Sequence, residues 1–564
     1  MLRRQGALAR KLRHIWPTVI FVVLAATPSA VAGDGSNIPL KNWGGFSEFQ
    51  DAAYEDLERL VTAGLADRVL LNTRPLSRIE AAKIVARAIE KIRSDEMGRL
   101  NARRDLEPVL DRLMEEFKVE LAGLGVRTSE RSVAAPGFVS FTPVDRAQTY
   151  LGYASRQFSL VNDQGHTFKR GTNGALTFES RAQIGNFFTF YLQPEFLENS
   201  DYGAARLATG YAKLTLYNVE LLVGRDSLSW GPGYHNGLML TNNAAPLDQI
   251  RLGSAEPFLL PWIGKWVGPT KVLIFLAQLE ERRDHPNAKL SGTRLTFAPF
   301  SFLELGASRT VLFDGGGPYL PLSKYPSAIF PFANPGFGDN RAHPEERSDS
   351  LFGVDADLRL RNVDRYFLPS RDLRLYGEFY WDDTCGNCIR SGIGHWFASN
   401  ILPRGATTGG VGGVHFLGLF GQDWLDGRFE YAKTSFQSFN HDQFTEGYWT
   451  RGHVISDFIG TAGIDYFWRV GARVTPNFLI GLDIDRAIIG KTTFVPGPPG
   501  ALGGLAFEPH ESRIGGGIDV SYRFWQRYSL FAQYLVSDVK NRQFRAGDDG
   551  FEHLVRLELT RSFR

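Results

Sequence analysis

The chain of 564 residues has only two cysteines, Cys385 and Cys388, and four methionines. So few cysteines exclude a fold held together by disulfides, as small exported domains are. An excess of charge of one sign is also missing: Lys and Arg number 63 against 61 Asp and Glu, a formal +2. That balance gives no support for a nucleic-acid partner. Beyond the N-terminal segment no apolar run approaches the ~20 residues that a membrane helix needs. A phosphate-cradling glycine loop, an HExxH helix and a G-x-S-x-G turn are absent as well, so the commonest hydrolytic chemistries lack their parts.

What is present begins with an export signal. Arg3, Arg4, Arg10, Lys11 and Arg13 form a basic start, Ile15 to Ala26 a short apolar core, and Ala30-Val31-Ala32 an A-x-A cleavage pattern. We therefore expect a signal peptide over residues 1–32. Its removal takes the formal charge from +2 to −3. No cysteine lies near the cleavage site, so a lipid anchor is not expected there.

Residues 33–127 read as a helical module in the periplasm. Ala53, Leu57, Leu60, Val61 and Leu65 recur at helical spacing, with Gly64 placed to cap the end. Ser77 and Glu80 form a capping box that opens a helix from Arg78 to Ile92. Leu106, Val109, Leu110, Leu113 and Phe117 supply a third apolar stripe. The run resembles an S-layer-homology-like unit through Leu57, Leu60, Gly64, Pro75, Ser77, Arg78, Glu80 and Ala81. That resemblance implies binding to a cell-wall polymer and makes peptidoglycan a further candidate partner. The same residues also serve as core, turn or cap. Thr128 to Pro136 is polar and aperiodic, and we take 128–145 as a linker.

From Arg146 to Arg564 the character changes. Glycine reaches 60 residues and aromatics 13%, with 42 Phe, and short alternating segments follow one another. In the last of them Val555, Leu557, Leu559 and Phe563 share one face, while Arg556, Glu558, Thr560 and Ser562 share the other. Period two with one apolar face suits a soluble sandwich or a membrane barrel.

The connections decide between them. Short turns are expected at Gly185–Phe187, Tyr217–Asn218, Pro299–Ser301, Phe420–Trp424, Thr475–Asn477 and Phe524–Tyr528. Long loops alternate with them, at Phe313–Ser350, Asp382–Thr408, Ser435–Gly460 and Ile489–Glu511. A membrane barrel has short periplasmic turns and long extracellular loops; a sandwich has no reason to sort its loops so. Aromatics flank the short turns, as an interfacial girdle requires. The expected fold is a mainly β protein, a transmembrane antiparallel barrel of about 18 strands over 146–564. It would sit in outer-membrane lipid, with Arg361–Leu373 as a periplasmic connection of intermediate length.

One long loop stands out, Gly224 to Arg251, with Trp230, Gly231, Pro232, Gly233, Tyr234, Asn242 and Asn243. No helix or strand tolerates its Gly-Pro-Gly. Alternation places it on the extracellular side, over the mouth or tucked into the lumen. Trp230 and Tyr234 could stack on sugar faces, with Asn242 and Asn243 offering hydrogen bonds to hydroxyls. Alternatively the asparagines satisfy the loop's own backbone and Trp230 packs on the barrel wall.

The stretch GRDSLSWGPGYHNGLMLTNNAAPLDQIRL resembles the signature of the capsule-assembly outer-membrane family, often called Wzi. Trp230, Gly231, Pro232, Gly233, Leu238, Asn242, Asn243 and Pro246 carry the likeness, and the barrel extends it over 137–564. The module over 37–125 looks like an addition found only in some relatives. The resemblance implies a lectin-like, non-enzymatic barrel that binds capsular or exopolysaccharide at the cell surface. A diffusion porin or oligosaccharide channel is the competing reading.

Other candidates are weaker. Tyr319, Tyr325, Phe330, Phe332 and Phe337 enrich the 313–350 loop in aromatics, for glycan capture or for the loop's own core. Cys385-Gly-Asn-Cys388 lacks the βαβ setting of a redox motif, and a zinc site would have only His395 nearby, so a loop-pinning disulfide is expected. Ser227, His235 and Asp248 make a triad only on paper. Neither a metal nor a cofactor is expected.

Overall fold

Segments with one apolar and one polar face close into a barrel when every edge finds a partner, and this chain closes. The computed structural model describes residues 34–40, 53–94, 103–126, 138–199, 203–330, 344–381, 408–495 and 504–563, apart from 367, 437, 442, 443 and 526. The expected signal peptide and Thr128–Pro136 lie outside them.

Eighteen strands span the barrel. They are β1 (Val139–Ala154), β2 (Gly171–Ile184), β3 (Phe188–Asn199), β4 (Gly203–Leu216), β5 (Val219–Asp226) and β6 (Leu247–Ser254). Next come β7 (Pro269–Gln278), β8 (Lys289–Phe300), β9 (Leu303–Phe313), β10 (Ser348–Leu360), β11 (Ser370–Trp381) and β12 (Thr408–Leu419). The last are β13 (Leu425–Thr434), β14 (Ile464–Thr475), β15 (Phe478–Ile489), β16 (Glu511–Phe524), β17 (Tyr528–Lys540) and β18 (Gly550–Ser562). Neighbours in sequence pair antiparallel, and β1 pairs with β18 from Arg146↔Ser562 to Ala154↔Leu554. The strand number and the mainly β class are as the sequence leads one to expect; the loop alternation breaks on the long-loop side between β3, ending at Asn199, and β4, starting at Gly203.

One boundary differs. β1 starts at Val139, inside the segment read as linker over 128–145. Pro143 lacks a ladder donor and reads as a breaker, but the β1–β2 register shifts between Thr142 and Arg146, and the proline sits in that irregularity. A short-turn-side connection at 255–268 also goes beyond the sequence reading. It carries Trp262 and Trp266, 95% and 71% exposed, as an aromatic belt does.

The alternation of β18 has the sense of a membrane barrel. Val555, Leu557 and Leu559 point outward and are exposed, whereas Arg556, Glu558 and Thr560 are buried in the lumen. The outer face is apolar and the interior charged, the reverse of a soluble sandwich.

The N-terminal residues form α1 (Ala53–Thr62), α2 (Arg78–Arg93), α3 (Glu107–Glu116) and α4 (Lys118–Gly123). Ser77 caps α2, its hydroxyl accepting the Glu80 N–H at 3.2 Å. The third apolar stripe is broken at Phe117 into α3 and α4, and Leu57, Leu60, Val85, Leu113, Phe117 and Leu121 form the module's core. This bundle does not hang below the barrel. It fills the mouth on the short-turn side, where Arg112 donates to the Pro476 carbonyl and Arg59 pairs with Asp426. The segment 34–40 also lies against the lumen wall, with Asn37 bonded to Tyr211, Lys213 and Asp226.

Candidate functional site

The opening loop, between β5 and β6, is tucked into the lumen. Gly231 has φ +110°, and a Cβ there would meet Glu378 Oε1 at 2.2 Å. Glycine is therefore required. Two carboxylates of the barrel wall collect the loop's backbone donors. Glu378 on β11 accepts the N–H groups of Gly233 (3.0 Å) and Leu238 (2.9 Å). Glu430 on β13 accepts those of Tyr234 (2.6 Å), His235 (2.9 Å) and Asn236 (3.0 Å), as well as the Tyr376 hydroxyl at 2.6 Å. Five backbone N–H groups of the loop converge on these two side chains, so a loop with no regular structure is held in one shape.

The side chains singled out in this loop face inward. Trp230 is 1% exposed and meets Phe275 of β7 edge-on at 5.5 Å. Tyr234 lies under the Arg428 guanidinium, 4.1 Å from its ring centre. Burial pushes the Tyr234 phenol well above its usual range. Asn242 donates to the carbonyls of Leu40 (2.6 Å) and Asn162 (3.2 Å), and Asn243 to that of Val454 (3.1 Å). As in the second reading, Trp230 packs on the wall and the asparagines serve backbone, but that of the neighbouring segments at Leu40, Asn162 and Val454 rather than the loop's own.

Below the loop, the helical module meets the same wall. Arg374 of β11 bonds Glu58 of α1 at 2.8 Å, Asp357 of β10 at 2.8 Å and the Pro232 carbonyl at 3.0 Å. Glu58 also pairs with Arg428 at 3.1 Å and lies 2.8 Å from the His415 ring. Burial opposes its ionisation, but Arg374, Arg428 and His415 outweigh that and hold the carboxyl well below the usual range. Glu304 of β9 accepts the N–H groups of Leu71 and Asn72, and Arg294 of β8 donates to the Asn72 carbonyl at 2.9 Å. Burial raises the Glu80 carboxyl despite its bonds to Lys271.

Module and loop also touch each other. The Gly231 N–H donates to the Asn72 carbonyl at 2.9 Å, and Thr73–Arg74 pairs antiparallel with Ser229–Trp230. The lumen is thus stoppered from both sides by two elements joined at its centre. The residues that resemble the S-layer-homology unit are used up in this arrangement: Leu57 and Leu60 in the core, Ser77 as a cap, Arg78 on Glu116 and Glu120, Glu80 on Lys271.

Of the loop aromatics, Tyr319 is 69% exposed. Tyr325 instead donates its hydroxyl to Asp314 at 2.5 Å and meets Phe313 edge-on, and Phe330 is half-buried. Phe332, Phe337, Cys385, Cys388 and His395 lie outside the described residues. An aromatic pair that the sequence reading missed stands at the outer end, Phe436 and Phe507, with ring centres 6.3 Å apart and Phe507 60% exposed. Their partnership spans two loops, and no local pattern announces it. The paper triad is not assembled as one: Ser227 bonds Gln164, His235 stacks on Phe467, and Asp248 pairs with Arg225.

A family model described as capsule assembly protein Wzi matches residues 146–553. A Klebsiella pneumoniae protein, described as an uncharacterized 55.8 kDa protein in the cps region, is 26% identical over 332 residues, 57% of this chain. The chain spans 56% of that relative's length. A solved structure described as Wzi, an Escherichia coli outer-membrane protein involved in group 1 capsule assembly and a carbohydrate-binding β-barrel, is similar with a TM-score of 0.65 at 19% identity. It covers 93% of this chain and 99% of its own. Pseudomonas aeruginosa OccD3 is matched at a TM-score of 0.42 and 11% identity, over 76% of this chain and 94% of its own. The 93% coverage exceeds what the barrel alone supplies, so the fold likeness takes in the helical module.

Proposed function

The chain belongs to the Wzi family of capsule assembly proteins, and from that premise we propose that it holds capsular or exopolysaccharide at the cell surface by lectin-like, non-enzymatic binding. It is an outer-membrane β-barrel. The observation that carries the proposal is the double stopper in its lumen. A barrel closed by Glu58, Arg374 and the Gly-Pro-Gly loop offers its extracellular loops for contact rather than its interior for passage. This favours surface binding over the porin reading.

We assign the contact to the exposed aromatics of the outer loops, Tyr319, Phe436 and Phe507, rather than to the buried Trp230. Rigid rings lose little entropy on binding, and sugar C–H faces stack on them. The helical module is assigned to closing the barrel rather than to gripping peptidoglycan, because its matched residues are committed to the core and to the wall.

The test is a glycan array probed with the purified protein, beside planar-bilayer conductance. Retention of acidic or neutral capsular glycans with no steady pore is expected. Replacing Tyr319 and Phe507 together by Ala should weaken binding about thirtyfold, on the scale of ~1 kcal/mol per stacked ring. A large steady conductance without glycan retention would falsify the reading.

A further inference from the structure

His235 sits in the stopper loop opposite two carboxylates of the wall, Asp465 on β14 and Asp485 on β15. The ligand atoms of these three all lie within 4.8 Å of one another, the one such group of three found among the described residues. The imidazole is locked in orientation. It stacks on Phe467 with centroids 4.1 Å apart and meets Phe458 edge-on at 5.1 Å. His235 is 8% exposed, its Nε2 has no hydrogen-bond partner, and that atom points at Asp465 Oδ2 from 3.9 Å. The gap is too long for a hydrogen bond. It is near the roughly 3.4 Å that two donors keep when each lies about 2.1 Å from one tetrahedral ion.

The carboxylates are also unfinished. Asp465 is 0% exposed; its Oδ2 accepts from Asn236 Nδ2 at 2.9 Å, while its Oδ1 has no partner, and neither has Asp485 Oδ1. Two carboxylates facing each other in a low-dielectric interior repel unless a positive charge sits between them. Of the nearby cations, Arg469 pairs with Asp483 and Asp519, and Arg513 pairs with Glu511 while also attracting Asp485. The neighbouring Glu430 adds further negative charge and is occupied by the loop's N–H groups.

We propose that His235, Asp465 and Asp485 bind one divalent first-row transition ion, which clips the Gly-Pro-Gly loop to the wall at β14 and β15. One imidazole and two carboxylates suit Zn²⁺ or Mn²⁺ better than Ca²⁺, which takes oxygen ligands throughout. Asn236 orients Asp465 from the same loop, as an outer hydrogen bond to a ligand does. The ion would make seating of the stopper depend on metal, independently of whether the outer loops bind glycan.

The test uses the full chain in detergent micelles, stripped with EDTA and then equilibrated with Zn²⁺ or Mn²⁺. Elemental analysis after gel filtration should find about one ion per chain. Near-UV circular dichroism should show a melting temperature several degrees higher with metal than without. Asp485→Asn should lose both the ion and the shift, and His235→Gln is the second variant if the first does not fold. Substoichiometric metal with unchanged melting overturns the proposal and leaves a proton between the two carboxylates. Equal retention by wild type and Asp485→Asn overturns it too, since the ion would then sit elsewhere.

Discussion

At the scale of single residues, Arg374 is where three parts of the molecule meet: Glu58 of the helical module, Asp357 of the wall and the Pro232 carbonyl of the loop. A buried ion pair is no guarantee of stability, but removing one partner leaves an uncompensated buried charge. Arg374→Met should therefore lower stability by about 3–5 kcal/mol, read as a drop in the urea midpoint of refolding in micelles. Glu58 carries the pH dependence of the same knot. Its folded carboxyl titrates below its unfolded range, so the stabilisation is complete above about pH 4.3 and is lost as pH falls through the lower folded value. Melting temperatures measured from pH 7 down to 3 should fall on the acid side, and Glu58→Gln should flatten that limb while lowering the neutral value. An acid limb identical in wild type and variant would remove Glu58 from the account. None of these partners was legible from sequence, because Glu58 and Arg374 are 316 residues apart and Glu58 and Arg428 are 370 apart.

At the scale of elements, the Gly-Pro-Gly loop was legible as a specifically folded non-regular segment, and its place on the long-loop side followed from alternation. Its descent into the lumen was one of two open readings. Gly231 now explains the choice of residue: its backbone conformation and the approach of Glu378 leave no room for a side chain. Gly231→Ala should unseat the loop while leaving the barrel folded. Intact cells displaying the variant should then be cut within residues 227–246 by added protease, whereas wild type resists; equal resistance would show that the loop tolerates the methyl group. The helices were legible by spacing and by the Ser77–Glu80 cap. Their docking was not, since the charges that bind the wall, Glu58, Arg59 and Glu80, look like ordinary helix-surface residues in the sequence.

At the scale of the whole molecule, the barrel is closed by two elements that are bonded to each other as well as to the wall. Deleting residues 41–126 should leave a barrel that folds but loses its lower stopper, while the wall keeps its own ion pairs Arg294–Asp355, Arg359–Glu304 and Arg374–Asp357. Planar bilayers should then show steady conductance that the full chain lacks. A silent deletion variant would mean that the loop alone seals the lumen.

The sequence by itself determined the barrel, its strand number and which of the long loops share one end of it. Period-two polarity and loop length are local properties, and closure follows once every edge must be paired. Only the tertiary structure decided that the lumen is stoppered, that Trp230, Asn242 and Asn243 face inward, and that Phe436 and Phe507 stand together outside. An alternating strand tells which face a charge lies on. Which charge it meets across the lumen depends on where two distant segments come to rest, and no short-range pattern encodes that.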